Sequence, residues 1–159
     1  MREKKSFAWK WVVWVLALGW AVVLFVFSGQ NGIKSGELSR RFTQWLLRVV
    51  PSLPWSVAQL EPVLRKIAHF GIFALEGFML CVAMLLSVKS GAWAALISTA
   101  VCAGVAGLNE YHQSFIAGRN AAFGDVLIDT SGAITGILFA CLIVYIVRRA
   151  LKRRRNVII

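Results

Sequence analysis

The chain has 159 residues, of which 58% are apolar and only 16% charged, with a mean hydropathy of +0.70. That balance excludes an ordinary water-soluble domain and fits an integral membrane protein with room for about four spans of roughly 20 residues in a single domain. The net charge of +11 does not imply nucleic acid, because the basic residues gather at the termini and in one loop, where they serve as positive-inside anchors.

In chain order, the first predicted span is "FAWKWVVWVLALGWAVVLFVF", residues 7–27, behind the basic "MREKK". It is too long for a signal-peptide core and is predicted to stay as an uncleaved anchor. Trp9, Trp11 and Trp14 suit a headgroup belt, and Lys10 can snorkel. After the polar "SGQNGIKSGE", a segment at about 37–50 places Leu38, Phe42, Trp45, Leu46 and Val49 on one helical face with arginines opposite. This is the pattern of a helix lying in the membrane interface. "PSLPW" stops it, since two prolines within four residues cannot continue a helix.

The second span is predicted at about 62–88, with Pro62 at its start, and the third at 92–108, rich in small residues. The fourth covers 126–147, followed by a basic tail over 148–159. Cys81, Cys102 and Cys141 all lie in apolar runs, odd in number, so no disulfide framework is implied. The predicted fold is therefore all-α, a polytopic bundle of four transmembrane helices with an interfacial helix between the first and second. Four spans put both termini on one side. Lys and Arg then divide eleven to seven in favour of cytoplasmic termini, in a cell membrane, with the first and third loops outside.

With this topology the unusual polar residues converge on one membrane face. Ser28 and Gln30 follow span one, Lys66 and His69 open span two, and "NEYHQSFIAGRNAAFGDVLIDTSGA" (109–133) surrounds the third loop. Lys66, His69, Phe73 and Glu76 share a helical face, as do Asp125, Asp129, Gly132 and Gly136. Gly132 and Gly136 form a small-xxx-small seam, for which Ala103 and Gly107 on span three offer a matching surface. Such a seam would turn Asp125 and Asp129 toward His69, Glu110 or His112, because an unpaired carboxylate facing lipid costs several kcal/mol. Glu76, about ten residues in, falls near the bilayer centre.

Each residue also has a plainer reading. Asp129 and the glycines can be helix packing, His69 a satisfied helix-end histidine, and Arg119 in "AGRN" a turn residue paired with Asp125 or Glu110. Taken together, two histidines, several carboxylates, an arginine and a lysine at one end of a bundle exceed what anchoring requires. Glu110, His112, His69 and Asp125 make a mixed N/O set, but without HExxH, CxxC or a carboxylate-rich motif no metal or cofactor is assigned. Acid/base chemistry on a lipid-linked substrate would use Glu110, His112 or His69 as the candidate catalytic groups, with Arg119 or Lys66 holding a phosphate. No activated nucleophile is apparent.

"RKIAHF", "NEYHQSF", "AGRN" and "GDVLIDTSGAITG", with "FSGQ" after the first span, resemble the VanZ-like family of small bacterial membrane proteins over about residues 20–145. The resemblance marks Ser28, Gln30, Arg65, Lys66, His69, Glu110, His112, Gln113, Gly118, Arg119, Asp125, Asp129 and Gly132. Asn109, Phe73 and Ala117 stand where the family usually has Asp, Tyr and Pro, and Glu76 takes a usually apolar position. The resemblance implies an envelope protein, in a family whose namesake is associated with resistance to the glycopeptide teicoplanin. The expected function is an outward-facing polar pocket, formed by Ser28, Gln30, Lys66, His69, Glu110, His112, Gln113, Arg119, Asp125 and Asp129, that binds an envelope lipid or cell-wall precursor. The alternative is a membrane-interface enzyme acting on a phosphate- or lipid-linked substrate. Beyond the bilayer and such a ligand no partner is implied.

Overall fold

The computed structural model describes residues 2–29, 32–119 and 121–157, with side chains placed over 9–29, 36–119 and 121–154. Among them are five helices and no strand: α1 Arg2–Ser28, α2 Gly32–Val49, α3 Val57–Ser87, α4 Gly91–Gln113 and α5 Phe123–Val157. Four are long and apolar enough to cross a membrane, over Trp9–Ser28, Val57–Ser87, Gly91–Gln113 and Phe123–Arg154. Exposed Leu16, Ile67, Leu96 and Leu138 lie on these helices, as expected of surfaces that meet lipid.

Long-range contacts fix the direction of each span. Trp14 Nε1 donates to Ser87 Oγ at 3.0 Å, joining the middle of α1 to the end of α3. Gln113 Nε2 donates to Ser28 Oγ at 2.8 Å, joining the ends of α4 and α1. His69 in the first half of α3 lies 3.3 Å from Asp129 in the second turn of α5. One end of the bundle is therefore made of the last turns of α1 and α4 and the first turns of α3 and α5.

Helices α1 and α2 each begin about five residues before the predicted start and α5 three, and three further boundaries differ from the sequence reading in ways that shape the bundle. Helix α3 begins at Val57, five residues before 62, because Gln59 Oε1 turns back to accept from the Ser56 backbone N–H at 3.0 Å and fixes the first turn. Pro62 thus lies inside the helix, where it withholds one backbone N–H but already has a helical φ. Helix α4 runs five residues past 108, through "NEYHQ". Helix α5 continues into the basic tail, since "RRALKRRR" contains good helix formers and no glycine or proline stop. At about 1.5 Å per residue its 35 residues span roughly 52 Å against a hydrocarbon core of about 30 Å, so its last turns stand outside the core.

The glycine seam packs, but on a different helix from the one expected. A methyl group on Gly132 or Gly136 would fall on the carbonyl oxygens of Phe70 and Ala74, and one on Gly77 on that of Ala133, so the seam joins α5 to α3. Gly107 has open space around it. Helix α4 buries another stripe, Ala94, Ser98, Cys102 and Ala106, at i, i+4 spacing. Helix α2 buries Thr43 and leaves Phe42 and Trp45 half-exposed, while Arg40 reaches Glu61 of α3 at 3.8 Å. That exposed pair contributes little energy by itself.

Candidate functional site at the polar end of the bundle

Because α4 stays helical to Gln113, the polar motif is sorted by helical angle. Asn109, Glu110 and Gln113 continue the buried stripe of Ala106 and are themselves buried, at 3%, 5% and 3% exposure. Tyr111 and His112, about 140° and 120° to either side of Ala106, are exposed. Gln113 then links three elements: it donates to Ser28 at 2.8 Å and accepts from Arg119 Nη1 at 2.9 Å. Arg119 reaches back because Gly118, at φ 78°, takes the left-handed conformation that closes the turn, with the Arg119 N–H on the Ile116 carbonyl at 3.1 Å.

Glu110 holds the far side of the same loop, accepting from the Ala122 backbone N–H at 2.6 Å through Oε1. Its Oε2, like Arg119 Nε, is buried without a hydrogen-bond partner in the protein. Burial and the adjacent Arg65 guanidinium lower the Arg119 pKa from its ordinary value, with Glu110 acting in the opposite direction.

Two cavities meet here. The first, about 340 Å³, is polar and lined by Glu61, Arg65, Lys66, His69, Arg119, Asp125 and Asp129, together with Pro62, Gly118 and Ile128. The second, about 480 Å³, is mostly apolar and runs between α1, α2 and α3 past Leu24, Phe27, Leu38, Phe42, Leu64 and Ile72. Arg65, His69 and Arg119 line both. Asp129 is 1% exposed, and its Oδ1 lies 3.3 Å from His69 Nδ1. That distance is within ion-pair range but the geometry is not that of a hydrogen bond, and neither Asp129 oxygen receives one from the protein.

The structure thus gathers Lys66, His69, Arg119, Asp125 and Asp129 around one polar cavity, and sets Ser28 on the adjoining groove. Gln113 and Glu110 stand behind the cavity and hold its loop. His112 is on the outer face of α4, near Gly29, and lines neither cavity. Gln30 lies outside the described residues. Arg119 is paired with Gln113 and not, as expected, with Asp125 or Glu110. Among the described residues no three His, Cys, Asp or Glu side chains converge as metal ligands. Glu76 is buried farther along α3, with one carboxylate oxygen unpartnered.

Two contributors escaped the sequence reading. Glu61 is one turn before Arg65, and Glu61, Arg65 and His69 form an i, i+4 stripe that was visible in the sequence once the helix began early enough. The groove residues of α1 and α2 carry no local signal, since only the packing of α2 beside α1 and α3 brings them together. A sequence model of the VanZ/LLP1 family matches residues 13–145. No curated protein and no solved structure matches the chain.

Proposed function

This chain belongs to the VanZ/LLP1 family, and on that footing we propose that its polar cavity binds the phosphate-bearing head of an envelope lipid or lipid-linked cell-wall precursor. The ligand's hydrocarbon chain lies in the adjoining groove. The observation that carries this reading is the shared wall: Arg65, His69 and Arg119 border a charged cavity on one side and an apolar groove on the other. A soluble metabolite has no use for the groove, and a simple hydrocarbon has none for the cations. Arginine suits the head, because its fork of donors matches phosphate oxygens, and Arg119 Nε is unused by the protein. By occupying such a lipid the protein would alter how the envelope meets a glycopeptide such as teicoplanin.

Lipid mass spectrometry of the purified protein tests the reading. A phosphate-bearing lipid is expected to co-purify with the wild type and to fall at least about tenfold in Arg119→Gln, the equivalent of one charge-assisted contact. Equal lipid content in the two would end the proposal.

One observation favours a catalytic variant of the same reading. Buried Asp129 lies 3.3 Å from His69 Nδ1 on the cavity wall, a carboxylate–imidazole pair of the kind that serves proton transfer to a bound headgroup. On this reading His69 carries the acid/base role, because Glu110 is engaged with Ala122 and His112 faces away. The same spectra discriminate: a lipid whose headgroup changes with time, and stops changing in His69→Gln, supports an enzyme.

We also assign the site to the outer leaflet and both termini to the cytoplasm, by the excess of basic residues beside the termini. In a protein lacking its three native cysteines, Ser114→Cys is expected to label with an impermeant maleimide on intact cells and Lys89→Cys only after lysis. The reverse pattern would invert the topology.

A further inference from the structure

The polar cavity is not simply basic. Its wall carries three basic side chains, Arg65, Lys66 and Arg119, and three acidic ones, Glu61, Asp125 and Asp129. Glu61 is held loosely by Arg40 at 3.8 Å, and Asp129 has His69 at 3.3 Å. Asp125 has no ion pair or side-chain hydrogen bond among the described residues. Asp129 is the more telling of the two, being 1% exposed with neither oxygen receiving a hydrogen bond from the protein. A buried carboxylate without donors is costly, and its position on the cavity wall means that a ligand can supply them.

A phosphate by itself gives Asp129 nothing, since it brings further acceptors, and it would leave the cavity with a surplus of negative charge. A headgroup that also carries N–H donors and a positive charge restores the balance. We propose that the ligand is a zwitterionic phospholipid, a phosphodiester joined to a protonated primary amine, with Arg65 and Arg119 taking the phosphate and Asp125 and Asp129 the ammonium. This rests on the lipid-binding reading above and narrows its ligand class. The two halves of the head are then read by different helices: α3 and the α4–α5 loop for the anion, the first turns of α5 for the cation.

Binding of short-chain phosphatidylethanolamine, phosphatidylglycerol and phosphatidylcholine to the purified full-length protein in micelles tests it. The ethanolamine lipid is expected to bind about tenfold more tightly than the glycerol lipid, the scale of one charged hydrogen bond. Choline, which has the charge but no N–H, falls between them. Asp125→Asn, a change of charge with the shape kept at a half-buried position, should erase most of the preference without weakening phosphatidylglycerol. Asp129→Asn should do the same, with its thermal melt recorded alongside. Phosphatidylglycerol binding as tightly as phosphatidylethanolamine overturns the zwitterion proposal, as does an Asp125→Asn that weakens both lipids alike. If no lipid binds and Arg119→Gln changes nothing, both this proposal and the lipid-binding reading are overturned.

Discussion

Gln113→Leu is expected to cost the bundle about 2 kcal/mol and to uncouple Arg119 from the cavity. The energy follows from what is stranded. Gln113 is 3% exposed and bridges Ser28 at 2.8 Å and Arg119 at 2.9 Å, so leucine of similar size removes both bonds and leaves a hydroxyl and a guanidinium N–H without their partner. Each such group costs on the order of 1–3 kcal/mol when water cannot replace the bond, and the partly wet bundle end reduces the total. Packing does not explain the loss, because the volume is nearly conserved. The control is Gln113→Glu, whose carboxylate still accepts from Arg119 and can accept from the Ser28 hydroxyl. It should recover most of the stability and the co-purified lipid. Thermal melts in detergent and lipid content from the same preparations measure the two effects. A Gln113→Leu protein with normal melting but no lipid would separate positioning from stability. One that keeps its lipid would show that Arg119 does not depend on this link.

The apolar runs made the four spans legible, and the amphipathic spacing of Leu38, Phe42, Trp45 and Val49 made α2 legible. The helix ends were less so, for a physical reason. A span is recognised by an apolar count, but a helix stops where its backbone bonding stops, and "NEYHQ" stays helical because Asn109, Glu110 and Gln113 bury themselves in the bundle. Once those five residues are helical, the separation of Glu110 from His112 follows from two steps of about 100°. Glu110 therefore turns into the bundle while His112 turns outward, and the two do not share a face. The seam shows a different limit. Gly132 and Gly136 announce that a backbone comes close, not which one does: Ala103 and Gly107 have the matching spacing, yet the seam meets α3, and α4 buries Ala94, Ser98, Cys102 and Ala106. Convergence of Lys66, His69, Arg119, Asp125 and Asp129 was readable because topology alone puts them at one end. The apolar groove beside them was not, as it depends on tertiary packing of α1, α2 and α3.

The seam also sets the largest expected effect of a single substitution. In Gly136→Leu the new Cβ would land on the Ala74 carbonyl oxygen and within 2.9 Å of the Phe78 nitrogen. Both are helical backbone, which cannot swing aside as a side chain can, so α3 and α5 must move apart. Every contact along the seam weakens with that separation, including Gly77 against Ala133 and the Phe78 and Phe139 rings at 5.9 Å. Asp129 shares the stripe of Gly132 and Gly136, and it would be drawn from His69, disturbing the cavity seven residues away. Overpacking of this kind costs about 3 kcal/mol or more, enough to lose a folded, monodisperse protein. Gly104→Leu provides the opposing case on α4, where nothing lies within 4 Å of the added atom. Removing an exposed helical glycine there should leave stability unchanged or raise it by up to about 1 kcal/mol. Size-exclusion profiles and thermal melts should therefore worsen for Gly136→Leu and hold or improve for Gly104→Leu. A Gly136→Leu protein that elutes and melts like the wild type would mean that α3 and α5 do not pack through their backbones, and that Asp129 does not reach His69 by this route.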